Sequence, residues 1–205
     1  MTNAVLAKLR ALVTGAATSE CELCASSIPA EHAHLLELEA RRLVSACPDC
    51  ASLYAREQQR QAPRFLRVER RAVRVPELDF DDHTWADLGV TAALAFFTTR
   101  QRTGEVVATF PGRAGLIESF VPLRVWGDLE RRYPVLKAIL PEVEALLVRR
   151  TSRHREAFRV SIDHCYELSS LFRSAAAPIA HPDVPAVQAF FARLERERES
   201  HRGRF

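Results

Sequence analysis

Two CxxC pairs constrain this chain more than any other feature. They are Cys21-Glu-Leu-Cys24 and Cys47-Pro-Asp-Cys50, with residues 25–46 between them. Each pair can turn two sulfurs toward one point. Four thiolates suit a tetrahedral Zn²⁺ with Zn–S distances near ~2.3 Å. In a reducing compartment such a pattern signals metal rather than disulfides. Cys21, Cys24, Cys47 and Cys50 are therefore the candidate metal ligands. Four protein ligands leave no coordination position for water or substrate, so the expected role of the ion is structural.

The spacer supports this. Residues 33–40 and 42–46 can pair as a short hairpin around Glu39-Ala40-Arg41. Pro48 suits a first helical turn, where its missing N–H costs nothing, so residues 48–57 read as a helix that carries Cys50. Knuckle, hairpin and then a helix bearing the second Cys pair is the order of a treble clef. Iron is the rival ion, because Cys-Pro-x-Cys also occurs in rubredoxins. Rubredoxin knuckles have Gly after the second Cys, whereas this chain has Ala25 and Ala51, which favours zinc.

The 205 residues allow one medium domain beside a small zinc module. Residues 58–63 (QQRQAP) are polar and end in Pro, which places the boundary there. The expected division is 1–63, an N-terminal helix and the zinc module, and 64–205, an α+β domain. Residues 2–13 carry a helical apolar stripe of Val5, Leu6, Leu9, Leu12 and Val13. No run of eighteen apolar residues exists, so no membrane span is expected. A secretory leader pattern is missing too, and the cytoplasm is the expected location. Four thiolates with one Zn²⁺ would bring the formal charge from +3 to about +1. That balance does not mark a nucleic-acid-binding surface.

Beyond the module, runs of strands and helices predict an α+β fold with an antiparallel sheet of about five strands. Residues 64–75 mix Arg64, Arg67, Arg70, Arg71 and Arg74 with apolar residues. An edge strand with a charged face explains them better than an anionic groove. Residues 91–99 are apolar on both faces, as a central strand requires. Returning strands are expected over 105–110, 116–121, 145–150 and 156–162. Residues 79–83 (DFDDH) suit the cap of a helix holding Trp85 and Leu88 better than a second metal site. Helices are also expected over 123–133, between Pro134 and Pro141, from Asp163 to Arg173, and from Asp183 onward after a linker at 175–182. Residues 196–205 read as a charged, frayed tail.

Cys165, Leu168 and Phe172 share i, i+3, i+7 spacing, which places Cys165 in the core rather than in a catalytic role. HNH nucleases resemble the N-terminal segment in their Cys pairs and in a His on the hairpin, here His32 or His34. They also need an Asn in the loop and a His on the helix. The lone Asn of this chain is Asn3, and residues 48–57 hold no His, so nuclease chemistry cannot be assembled. Either His could still replace a Cys or support the ligands from behind.

Several motifs together resemble an uncharacterised bacterial family encoded beside actinobacterial-type nickel–iron hydrogenases. In the N-terminal part they are Cys21-Glu-Leu-Cys24, Ile28-Pro29, His32-Ala-His34-Leu-Leu36, Arg41-Arg42-Leu43 and Cys47-Pro-Asp-Cys50. The likeness continues through Leu94-Ala-Phe-Phe97, Phe110-Pro-Gly112, Ala114-Gly115, the run from Pro141 to Val148, and Ile162-Asp163 with Cys165-Tyr166. The resemblance implies a pathway rather than a reaction. The expected protein is a non-enzymatic zinc-binding accessory factor in hydrogenase assembly or maturation, with a hydrogenase subunit or a maturation factor as client. Two other classes stay open: a nucleic-acid-binding regulator using the Arg-rich stretch, and an enzyme with a pocket between module and sheet.

Overall fold

The computed structural model describes residues 19–57, 63–112, 115–152, 154–174 and 184–202. The expected helix over 2–13, most of the boundary segment at 58–63, and the linker with Asp183 lie outside the described residues. The chain divides into two compact units, the first ending at Glu69 and the second starting at Arg70.

In the first unit, β1 (Ser19–Glu20) and β2 (Ser27–Ile28) pair antiparallel and flank the first Cys pair. A hairpin follows, β3 (Ala33–Glu37) and β4 (Arg42–Ala46), with Leu35 opposite Val44. Its turn places Arg41 at φ 50°. α1 (Pro48–Glu57) begins directly after Cys47. β5 (Phe65–Val68) then pairs with β3, giving the order β4-β3-β5. The core of this unit holds Ile28, Leu35, Val44, Ala46, Ala51 and Phe65 together with Cys21 and Cys47. Tyr54 of α1 meets Phe65 edge-on at 4.6 Å between centroids.

The second unit is built on a six-stranded antiparallel sheet, one strand larger than expected. Its strands are β6 (Ala72–Arg74), β7 (Leu94–Thr99), β8 (Val106–Gly112), β9 (Gly115–Phe120), β10 (Glu144–Arg150) and β11 (Arg155–Ser161). They lie in the order β6-β11-β10-β7-β8-β9. The Arg-rich stretch 64–75 is divided between two sheets. Phe65–Val68 joins the first unit and Ala72–Arg74 joins the second, each as an edge strand.

Helices cover the sheet because its inner strands are apolar on both sides. In β10, Leu146 and Val148 belong to the cluster that includes Phe80, Trp85, Phe97, Trp126 and Leu129. Leu147, between them, is also fully buried and faces the other way, since successive strand residues alternate. Short α2 (Asp82–Asp87), α3 (Leu123–Arg132) and a 3₁₀ turn (Pro134–Ala138) supply Trp85, Trp126, Leu129 and Leu136 to the first face. Asp81 caps α2 by accepting from Thr84 N at 2.7 Å, and these bonds hold its carboxyl below the usual range. The acidic run is thus a helix cap, as its composition predicts.

α4 (Ile162–Ser174) and α5 (Pro185–Arg202) complete the unit. α5 buries Val187, Phe190, Phe191 and Leu194, and Phe191 lies 6.0 Å from Phe158 of β11. The helix extends to Arg202, and residues 203–205 of the charged end lie outside the described residues.

His164, fully buried on α4, sits with Nε2 3.3 Å from Glu197 and edge-on to Phe190. Burial pushes its pKa down, and Arg70 adds to this, against the opposing pull of Asp163, Glu197 and Glu167. An imidazole with a lowered folded pKa binds its proton more readily in the unfolded chain. Stability is therefore lost as pH falls below the ordinary value near ~6.5. Thermal melts between neutral and mildly acid pH should show a smaller acid-induced drop for His164→Gln than for the wild type. Identical pH slopes would remove His164 as the source.

Candidate metal centre

The first Cys pair is held by a knuckle. Cys21 N donates to Ser26 O at 2.7 Å, and Ala25 N donates to Cys21 O at 2.8 Å. The tight turn places Ala25 at φ 60°, a left-handed conformation that glycine adopts without strain. Ala25 thus takes up glycine's geometry at that position, so its identity alone does not separate a zinc knuckle from an iron one. The second pair is built differently. Cys47 ends β4's run and Cys50 lies in the first turn of α1, where Ala51 N donates to Cys47 O at 2.9 Å.

These two supports bring the four sulfurs together. The Sγ atoms of Cys21, Cys24, Cys47 and Cys50 all lie within 4.8 Å of one another. Cys24 and Cys47 are 3.6 Å apart. A tetrahedron with ~2.3 Å metal–sulfur bonds has edges of about 3.8 Å, so the donor set fits one tetrahedral ion. All four are free thiols.

Their surroundings differ. Burial raises the Cys21 thiol, but the backbone N–H groups of Cys47, Leu23 and Cys24 outweigh it and lower its pKa to about 6. Cys24 is exposed and is lowered chiefly by the Ser26 hydroxyl, 3.2 Å away. Cys50 is pushed up, first by burial and then by the neighbouring cysteines. Two of the four are thus predisposed to the thiolate form that a metal needs.

Neither histidine joins the cluster. His32 Nδ1 donates to Pro29 O at 3.0 Å, which leaves Nε2 to accept from the Ser45 hydroxyl at 3.0 Å. His34 stands edge-on to His32 at 4.9 Å. Among the described residues, the four cysteines are the group of His, Cys, Asp and Glu side chains placed to hold an ion.

Glu22, inside the first CxxC, went unmarked in the sequence. Its N–H donates to Ser45 O at 2.9 Å, and its Oε1 accepts from Ser45 N at 2.9 Å. Its Oε2 accepts from Arg42, which also reaches the buried Glu37. CxxC spacing marks the sulfurs but says nothing of the residue between them.

The remaining candidates are accounted for structurally. Arg64 pairs with Glu37, Arg70 with Asp163 and Glu197, Arg71 with Glu144, and Arg74 with Glu195. These pairs engage most of the arginines that a phosphate-tracking surface would need. A groove of about 530 Å³ in the second unit is lined by Arg74, Arg149, Glu156, Phe191 and Glu195, among others. Arg149 pairs with Glu156 and lies over the Phe191 ring, while Arg74 pairs with Glu195. Each of these arginines thus has a carboxylate partner at the groove. Cys165 is fully buried, and burial together with Asp163 raises its pKa well above the usual value. It is a buried core thiol, as its helical spacing predicts.

Fold and site together define an α+β protein with an N-terminal four-cysteine cluster that could hold a metal ion. No helix among the described residues is long and apolar enough to cross a membrane. Residues 20–198 match the model of a family of unknown function, DUF5947, and the chain belongs to that family. No curated protein and no solved structure matches it.

Two outcomes follow from this geometry. Ala25→Gly should keep metal affinity, whereas Ala25→Val forces a β-branched residue into the left-handed region, at about 1–2 kcal/mol. That corresponds to roughly tenfold weaker binding in a chelator competition. Equal affinity for Ala and Val would show that the knuckle relaxes. Cys165→Ala should cost about 1 kcal/mol in denaturant unfolding and leave metal content unchanged. A loss of bound metal would contradict its role as a core thiol.

Proposed function

We propose that Cys21, Cys24, Cys47 and Cys50 hold one structural Zn²⁺, and that the chain is a non-enzymatic accessory protein whose zinc module docks on a protein client. The observation that carries this is the convergence of four sulfurs from a knuckle and a helix start. The order of knuckle, hairpin and helix is that of a treble clef. Opening α1 with the second pair, instead of a second knuckle, favours zinc over a rubredoxin-type iron site. With sulfur at every position, the ion polarises no water and supplies shape alone. A rigid small module costs little ordering entropy on association.

The client follows from the family resemblance rather than from geometry. It is a subunit or maturation factor of a nickel–iron hydrogenase, met in the cytoplasm of a bacterium. The paired state of the Arg-rich stretch speaks against the nucleic-acid reading. The matched charges of the groove offer no support to an enzyme.

Protein purified without added metal should carry one zinc per chain by elemental analysis. Iron in its place, or no tightly held metal, sinks the zinc assignment. Cys47→Ser should release the zinc and unfold the first unit, because ligand bonds supply its folding free energy. Tagged wild-type chain should capture hydrogenase components from native cells, and Cys47→Ser should capture fewer. Equal capture by both would place docking away from the module.

A further inference from the structure

We propose that Glu22 is the positioning residue of the four-cysteine centre. It sets the centre's metal affinity by locking the first Cys pair onto the strand that delivers the second. This rests on the reading of the cluster as a metal centre and adds to it a residue that is not a ligand.

β4 is an edge strand, with β3 along one side. Ser45 turns both of its backbone groups to the other side, and Glu22 takes both. Its N–H donates to Ser45 O and its carboxylate accepts from Ser45 N, each at 2.9 Å. Glu22 follows Cys21 directly, and Ser45 stands two residues before Cys47. The clamp therefore ties a residue next to the first ligand pair to one two residues from the second. His32 secures its far end through the Ser45 hydroxyl. Arg42 steadies the second carboxylate oxygen at 2.9 Å.

The clamp depends on reach. A carboxylate or amide oxygen at the end of a two-methylene arm meets Ser45 N, and a side chain one methylene shorter does not. Charge matters less, because the Arg42–Glu22 pair is exposed, with half of the Arg42 side chain in solvent. Such pairs contribute little. Groups that orient metal ligands from behind change affinity by roughly 10–100-fold when removed.

Reach and charge can be separated with two conservative variants of the full-length protein, titrated with Co²⁺ and with Zn²⁺ against a chelator. Glu22→Gln keeps the reach and loses the charge. Its affinity should stay within about threefold of wild type, with an unchanged cobalt–thiolate spectrum. Glu22→Asp keeps the charge and loses the reach. It should bind about tenfold more weakly, at the low end of the range for such groups, with a perturbed spectrum. Arg42→Met removes the pairs with Glu22 and with Glu37, and Arg64 still holds Glu37, so its metal affinity should behave like that of Glu22→Gln. The proposal is overturned if Glu22→Asp binds as wild type does, or if Glu22→Gln falls as far as Glu22→Asp. A wild-type chain that binds neither ion tightly would instead refute the metal reading beneath it.

Discussion

The first unit depends on sulfur convergence. Among the described residues its buried cluster has eight members, and two of them are the ligand candidates Cys21 and Cys47. Such small modules rarely bury enough apolar surface to fold on that alone, and they draw on metal or covalent staples. Everything in this unit serves to aim four side chains. The knuckle strains Ala25 to turn two of them, and the hairpin carries β4 to Cys47. The first turn of α1 then presents Cys50. The same cysteines are core residues and candidate donors, so an ion bound there would couple folding to metal binding.

The second unit has no such dependence. Its sheet is covered on both faces, with two Trp residues and Phe97 forming a contiguous aromatic group on one side. The short edge strand β6 is guarded by ion pairs from Arg71 and Arg74 to Glu144 and Glu195. Charged edges of this kind prevent sheet-to-sheet association. Arginine is abundant in this chain, and much of it meets carboxylates remote in sequence. The 29 basic residues, set against 26 acidic ones, supply these internal pairs.

Much of this was legible beforehand because it is local. CxxC spacing marks the candidate ligands, since two residues between cysteines is the geometry of a turn. The acidic run at 79–83 marks a helix cap, and i, i+3, i+7 spacing puts Cys165 in the core. The run at 91–99, apolar on both faces, marks an inner strand. Each of these patterns lies within one element, so its physical meaning survives without knowledge of the partners.

What the tertiary structure alone decided is which distant groups meet. Residues 64–75 read as one strand, yet they serve two sheets, because strand pairing is chosen by partners such as β3 and β11. The burial of His164 beside Glu197 joins α4 to α5 and has no local signature. Glu22 is one polar residue in a loop until Ser45 arrives on the neighbouring strand. The sequence by itself determined the candidate donor set and the element types, through spacing and periodicity. Tertiary structure decided the clamp, the sheet order and the charge matching, because hydrogen bonds between remote residues depend on how the backbone is placed.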